Sequence, residues 1–305
     1  MSSTRSSTGT GPRLSTPDDG GANARARAAA RRRERLGTLA ATLVVAVVVL
    51  GMLTPFLWAG LTAVKPFYAA FTNPPTWSFT PQFDAFTELW RATRFAEILL
   101  NTLLVAVAAV LVMLVVGAPA AYAFARYAGL IGPVLLVLAV VLRTVPRFAV
   151  VLPLYEAARS VGLYDTRIAL VAAFVAVNMP FTLLLLVGFF RDIPVELDEA
   201  AMVDGCSRLG AFRRVIVPVM GPGLVTAGVF TFLVAFQEYL IALTLTQNDA
   251  VTIPVFIAAQ RGADETSTYQ LLAAASIALV LPIALIAVAA RRYLVAGLGA
   301  GGVKA

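Results

Sequence analysis

Residues 98–125 read ILLNTLLVAVAAVLVMLVVGAPAAYAFA, a stretch without one Asp, Glu, Lys or Arg. Apolar runs longer than about 18 residues are the mark of membrane helices. Working outward, the same charge-free character holds over 36–64, 168–190, 215–237 and 266–290. A sixth run, 127–142, is shorter and completes a span if Arg143 lies at the water interface and snorkels. Backbone polar groups in lipid must pair within their own segment, so these runs are expected as helices; unbroken apolar runs also argue against a barrel, whose strands alternate. The expectation is an all-α polytopic membrane protein with six transmembrane helices. They run at about Leu39–Val64, Asn101–Phe124, Leu130–Phe148, Ile168–Phe190, Gly223–Leu245 and Tyr269–Leu294.

Bulk composition agrees. Of 305 residues, 59% are hydrophobic and 13% charged, with a mean hydropathy of +0.84. A water-wetted domain carries nearer a quarter charged residues. Residues 1–36 are rich in Ser, Thr, Gly, Ala and Arg without apolar period and are expected as a disordered cytoplasmic tail ahead of a transmembrane domain over 37–305. The first apolar run is too long for the h-region of a signal peptide and is expected as an uncleaved anchor. With the N-terminus inside, 16 of the 24 basic residues fall on the cytoplasmic side, so both termini are expected there. The net charge of +7 then reports topology rather than nucleic-acid binding. Between the spans, Phe83–Phe95 is expected as a short amphipathic helix at the interface and Pro153–Tyr164 as a short outer helix. Residues 296–305 are expected as a Gly-rich cytoplasmic tail.

Several function classes are excluded by what the chain lacks. It has no His, which removes imidazole metal sites and Ser-His or Cys-His catalytic pairs. Its two lysines, Lys65 and Lys304, precede Pro66 and Ala305, whereas a phosphate-cradling P-loop needs Gly-Lys-Ser/Thr. ATP chemistry of that kind must therefore come from another chain. Cys206 is the lone cysteine and has no internal disulfide partner.

The most patterned polar segment is the loop over 191–222, between the fourth and fifth spans. Pro194 suits the first turn of a helix, and Glu196, Asp198 and Glu199 lie near its positive dipole end. Gly205 is the natural stop, because Gly enters the left-handed conformation at little cost. Ser207 suits the cap of a second helix, in which Leu209, Phe212 and Ile216 recur at helical spacing; Pro218 and Pro222 are expected to end it. Two readings stand side by side on pattern alone: a hairpin resting on lipid headgroups, or a docking surface for another protein.

The run Glu199-Ala200-Ala201, then Asp204-Gly205, Phe212, Ile216 and Pro218, resembles the EAA loop of binding-protein-dependent ABC importer permeases. More narrowly, the chain is similar to the carbohydrate permeases of the maltose-transporter (MalG) type. Matches extend over residues 36–305, including Asn101-Thr102-Leu103, the run from Ala120 to Arg126, Pro153-Leu154-Tyr155, the run from Gly162 to Thr166, and Ala300 to Lys304. The resemblance implies a type I ABC importer permease fold in a bacterial inner membrane, with no catalytic residue, metal or cofactor in this chain. ATP and Mg would bind a partner ATPase, present in two copies. It also implies a second permease subunit and an extracytoplasmic solute-binding protein. Glu199, Ala200, Ala201, Asp204 and Gly205 would form the ATPase-docking coupling helix, supported by Phe212, Ile216 and Pro218, while Gly301, Gly302 and Lys304 match a tail that reaches the ATPase interface in some relatives. The cargo would be a carbohydrate or polyol.

Polar residues inside spans are costly and tend to line an aqueous path. Asn178 beside Pro180, and the cluster Gln237, Glu238 and Tyr239, are candidate cargo contacts. Asn178 serves equally as interhelical glue. Glu238 reads first as an outer-end charge paired with Arg143 or Arg147, which flank Pro146 and would form an outer gate. The clusters at 143–147 and 237–239 depart from the family pattern, which puts cargo identity rather than family in question. A proton-coupled transporter would want more buried acids than Glu238, and a membrane enzyme would want a nucleophile and base.

Overall fold

In the computed structural model, which describes residues 19–70, 72–127, 129, 131–260 and 267–302, Asp19 opens a helix, α1, that continues to Val64. The chain divides between Trp58 and Ala59 into two compact units, and the first, in its described part, is this helix. Residues 19–36 were expected without structure and are instead helical. They hold Ala and Arg, two of the strongest helix formers, with neither Gly nor Pro over 22–36. Residues 1–18 lie outside the described residues. Thr38, Thr42 and Thr54 each donate their hydroxyl to the carbonyl four residues back, which satisfies them without a partner from outside the helix.

The second unit begins with the end of α1, the turn α2 (Phe67–Ala70) and α3 (Asp84–Arg91). α3 is the amphipathic helix anticipated over 83–95, but it is shorter and buries Ala85 and Leu89 against Ala273, Ala274 and Ala275. Then follow α4 (Phe95–Arg126), α5 (Ile131–Thr144), α6 (Arg147–Ser160), α7 (Arg167–Arg191), α8 (Glu196–Val203) and α9 (Arg208–Ala211). A π turn over Phe212–Ile216 leads into α10 (Val217–Val219). α11 (Gly221–Phe236), α12 (Leu240–Leu245), α13 (Ile253–Ala259) and α14 (Ser267–Gly302) complete the order. Among the described residues four helices are long and apolar enough to cross a bilayer: Arg32–Val64 of α1, α4, α7 and Tyr269–Tyr293 of α14. Two bent pairs, Gly132–Thr144 with α6 at 90° and Arg208–Val219 with α11 at 74°, bring the count to six where each pair is one span.

The bends correct three expectations. The third span does not continue to Phe148, because Pro146 takes an extended conformation and starts α6 at Arg147, ahead of the outer helix expected from Pro153. The fifth span stops at Phe236, and Gln237–Tyr239 form a break before α12. Pro218 does not end the loop's second helix; it lies inside the helical run to Val219, and the bend follows at Met220. The π turn shifts the hydrogen-bond register just ahead of Pro218, with the Val217 N–H reaching the Phe212 carbonyl.

α4 and α7 pack along their length through Val105, Ala106, Ala109 and Met113 against Leu170, Ala173 and Phe174. Lipid tails are as apolar as these side chains, so close contact rather than transfer from water holds the helices together. Gly228 of α11 shows how close: a Cβ there would stand 3.2 Å from Leu114 Cδ1. Interhelical hydrogen bonds add to this. The Thr182 and Thr231 hydroxyls meet at 3.0 Å, and Thr226 donates to the Tyr293 carbonyl at 3.0 Å.

At the start of α4 and α7 the loop after α12 is clamped from two sides. Asn101 donates its amide to the Asp249 carbonyl at 2.9 Å, and the Ile253 N–H donates to Thr102 Oγ1 at 2.9 Å. Asp165, with φ of 57°, accepts the backbone N–H groups of Gln247, Asn248, Asp249 and Ala250 at 2.9–3.1 Å. Burial pushes its carboxyl upward, but the four N–H donors outweigh that and hold it below the usual carboxylate range.

Candidate functional site

At the opposite end of α4 lies the loop singled out from sequence. α8 has Glu196, Asp198 and Glu199 in its first turn. Its end is a Schellman closure: the Cys206 N–H donates to the Ala201 carbonyl at 3.0 Å and the Gly205 N–H to Met202 at 3.1 Å. Gly205 sits at φ of 85°, the left-handed value its position required. Ser207 then caps α9, its hydroxyl accepting the Gly210 N–H at 3.2 Å.

One face of this hairpin is buried and the other open. Ala201, Phe212 and Ile216 are buried, with the Phe212 ring 4.9 Å from that of Tyr122 and 6.3 Å from that of Phe190. Glu199, Ala200, Asp204, Gly205 and Pro218 are exposed, and so are the apolar Met202 and Val203. Leu209 was expected on the buried stripe and is exposed. The buried positions run Ala211, Phe212, Ile216 and Met220, and the wide π turn suits this four-residue spacing, which leaves Leu209 outside.

What fixes the hairpin to the spans was not singled out from the sequence. Asp198 is buried beneath α8 and pairs with Arg126 at 2.9 Å, the two side chains being 4% and 5% exposed. Its other oxygen accepts the Tyr122 hydroxyl at 2.5 Å, and Arg126 also donates to the Ile193 carbonyl at 2.7 Å. Tyr122 further meets the Tyr127 hydroxyl at 3.3 Å, and Arg208 lies over the Tyr127 ring. Every polar atom of the carboxylate thus has a partner from the end of α4. The signal was present: Tyr122 and Arg126 close the α4 run, but Asp198 had been assigned only to the helix dipole.

The second group of predicted residues gathers where the two bent crossings meet. Glu238, buried in the break between α11 and α12, pairs with Arg147 at the start of α6. Arg143, in the last turn of α5, makes no ion pair among the described residues and stacks over the Phe181 ring at 4.7 Å. Arg143 and Arg147 line a cavity of about 290 Å³ together with Leu142, Val150, Val177 and Pro180. Gln237 and Tyr239 are exposed. Asn178 does not join them: it is buried in α7 and donates its amide to the Phe174 carbonyl at 3.0 Å. A larger cavity, about 550 Å³ between α4 and α7, is lined by aliphatic side chains apart from Arg167 and offers little to orient a polar solute. Gly301 and Gly302 end α14, and Lys304 lies outside the described residues.

Residues 114–299 match the family described as binding-protein-dependent transport system inner membrane component. The chain is 32% identical over 254 residues to the sulfoquinovosyl glycerol transport system permease protein SmoH of Agrobacterium fabrum, covering 83% of this chain and 89% of that one. It is 35% identical over 255 residues to the trehalose transport system permease protein SugB of Mycobacterium tuberculosis, covering 83% and 92%. Its fold is similar to the crystal structure of a bacterial ABC transporter involved in the import of the acidic polysaccharide alginate. There the TM-score is 0.69 at 19% identity, over 86% of this chain and 98% of that one.

Proposed function

Because this chain belongs to the binding-protein-dependent transport system inner membrane components, we propose that it pairs with a second permease subunit to import a carbohydrate or polyol. An extracytoplasmic binding protein delivers the cargo, and two ATPase subunits, which bind ATP and Mg, dock from the cytoplasm. Both termini lie on that side. The names of the relatives, which specify sulfoquinovosyl glycerol and trehalose, support the cargo class.

The observation that carries the reading is the two-faced α8 hairpin. Glu199, Ala200, Asp204 and Gly205 are exposed together on a short helix, while Asp198 on its underside is locked to Arg126 and Tyr122 of a membrane-crossing helix. An ATPase that grips the open face moves α8, and the buried pair passes that motion to α4. Arg147–Glu238, tying α6 to the break after α11, serves as a gate between the two bent crossings.

Native mass spectrometry of the gently solubilised complex tests this reading, with a P-loop ATPase and a binding protein expected beside the permease. Gly205→Val is expected to abolish ATPase association while membrane insertion continues. Nothing lies within 4 Å of a Cβ at Gly205, so the damage is torsional, costing about 1–2 kcal/mol at the φ of 85° and distorting the docking surface. A variant that co-purifies with normal amounts of ATPase would sink the docking role.

A further inference from the structure

Arg143 carries the inference. It lies in the last turn of α5, at the 90° bend into α6, and makes no ion pair among the described residues. An arginine inside a membrane-spanning pair of helices marks a substrate or ion path. The nearby carboxylate, Glu238, is taken by Arg147. The Phe181 ring covers one face of the Arg143 guanidinium and leaves the in-plane N–H donors available. Among the described residues, the two arginines that line the cavity have one carboxylate between them, Glu238 on Arg147, which leaves one positive charge over. At about 290 Å³ the space is near the low end of the range for small-molecule pockets, about 300–1,000 Å³, and suits one sugar unit.

We propose that this cavity receives the anionic group, a carboxylate, sulfonate or phosphate, of a negatively charged carbohydrate, and that Arg143 is the residue that pairs with it. Guanidinium matches such groups bidentately, which neutral hydroxyls cannot do. Arg147 holds Glu238 neutralised beside the site, so the acid does not repel the incoming anion. The inference rests on the importer reading above and narrows its cargo from sugars in general to acidic ones. Apolar walls from Leu142, Val150, Val177 and Pro180 lower the local dielectric beside the guanidinium and strengthen the pairing.

The test is equilibrium binding of radiolabelled digalacturonate and of neutral maltose to the assembled complex in phosphatidylcholine nanodiscs. The wild type is expected to retain digalacturonate roughly tenfold better than maltose, as for one hydrogen-bonded charge pair. Arg143→Gln is expected to reduce digalacturonate to the maltose level, and Glu238→Gln, which releases Arg147, to raise it. Arg143 is exposed, so its replacement leaves folding intact. Equal retention of the two sugars by the wild type overturns the proposal, as does undiminished binding by Arg143→Gln or a parallel loss in Glu238→Gln. Phosphatidylglycerol in the nanodisc leaves digalacturonate binding unchanged if the site belongs to cargo; its abolition assigns the site to a lipid headgroup and overturns the proposal. The ATPase content of the same samples separates the two readings: its absence from the wild-type complex strikes at the importer assignment, whereas loss of charge discrimination with the ATPase present strikes at the acidic cargo alone.

Discussion

The buried pair under α8 permits a quantitative prediction. Asp198 and Arg126 have side chains 4% and 5% exposed, so solvent screens their attraction little. Replacing one partner strands the other's charge, and such losses cost about 3–5 kcal/mol. Arg126→Met leaves Asp198 with the Tyr122 hydroxyl alone, and Asp198→Asn leaves Arg126 with the Ile193 carbonyl and a neutral amide. In the double variant no charge is stranded, and the amide introduced by Asp198→Asn keeps an acceptor for Tyr122. Its cost should fall to that of the lost hydrogen bonds, about 1–2 kcal/mol. Measured by thermal unfolding of the purified permease, each single variant should therefore be less stable than the double. A double-mutant cycle would give a coupling energy of about 3 kcal/mol or more; a value under about 0.5 kcal/mol, the range of simple additivity, would refute the account of Asp198 as a buried anchor. A second readout separates anchoring from transmission. The double variant should recover folding and ATPase retention but not cargo transport driven by ATP, because packing through Ala201, Phe212 and Ile216 alone would then hold α8.

Asp165→Asn should loosen the loop over 246–251 by roughly 1–2 kcal/mol, after discounting the charge-assisted bonds for the residue's partial exposure. The native carboxyl is held low, so its stabilisation is present above the unfolded value of about 3.9 and is lost as pH falls through the lower folded value. The stability difference between Asp165→Asn and wild type should therefore be flat from about pH 5 to 8 and shrink below about pH 4; a slope across the neutral range would count against it. Gly228→Leu should cost about 1–3 kcal/mol by overpacking against Leu114, read as a lowered melting temperature, with Gly228→Ala much milder. Ser207→Ala should cost about 1 kcal/mol through loss of the α9 cap, and an unchanged melting temperature would remove that cap from the account of the hairpin.

The parts of this fold that depend on local chemistry were legible in the sequence. Charge-free runs located the crossings, and Gly205 and Ser207 marked the end of α8 and the start of α9, because a left-handed residue and a cap are decided within a few positions. Two features were not legible. Gln237–Tyr239 carry no Pro or Gly, and nothing local distinguishes them from a continuing helix; Glu238 leaves the helix where it meets Arg147, 91 residues away in sequence. Asp198 shows the same limit. As one of three acids near a helix start it looked like a dipole partner, and its burial becomes visible only once α4 is brought beneath α8, with Tyr122 and Arg126 76 and 72 residues away. Pairings across that distance are settled by packing, which composition does not report.

α4 ties these observations into one mechanical element. Near its start, Asn101 and Thr102 hold the loop over 249–253; near its end, Tyr122 and Arg126 hold α8. From Asn101 to Tyr122 is about 32 Å of helix, close to the ~30 Å core of a bilayer. Both ends of the permease are thus clamped to a single helix. Its neighbour α7 packs against it through interlocked side chains, Met113, Leu170 and Phe174 among alanines, that leave little room for relative tilt. Pro119 removes one bond from the ladder of α4 just before Tyr122, yet the helix runs on to Arg126, so a displacement delivered at α8 is expected to reach the 249–253 loop through α4. Larger interruptions lie at the 90° bend before α6 and the break before α12. Those two interruptions are joined by Arg147 and Glu238. A helix clamped near both ends, beside two bent crossings, sets the interruptions in helix bonding where the charged cavity lies.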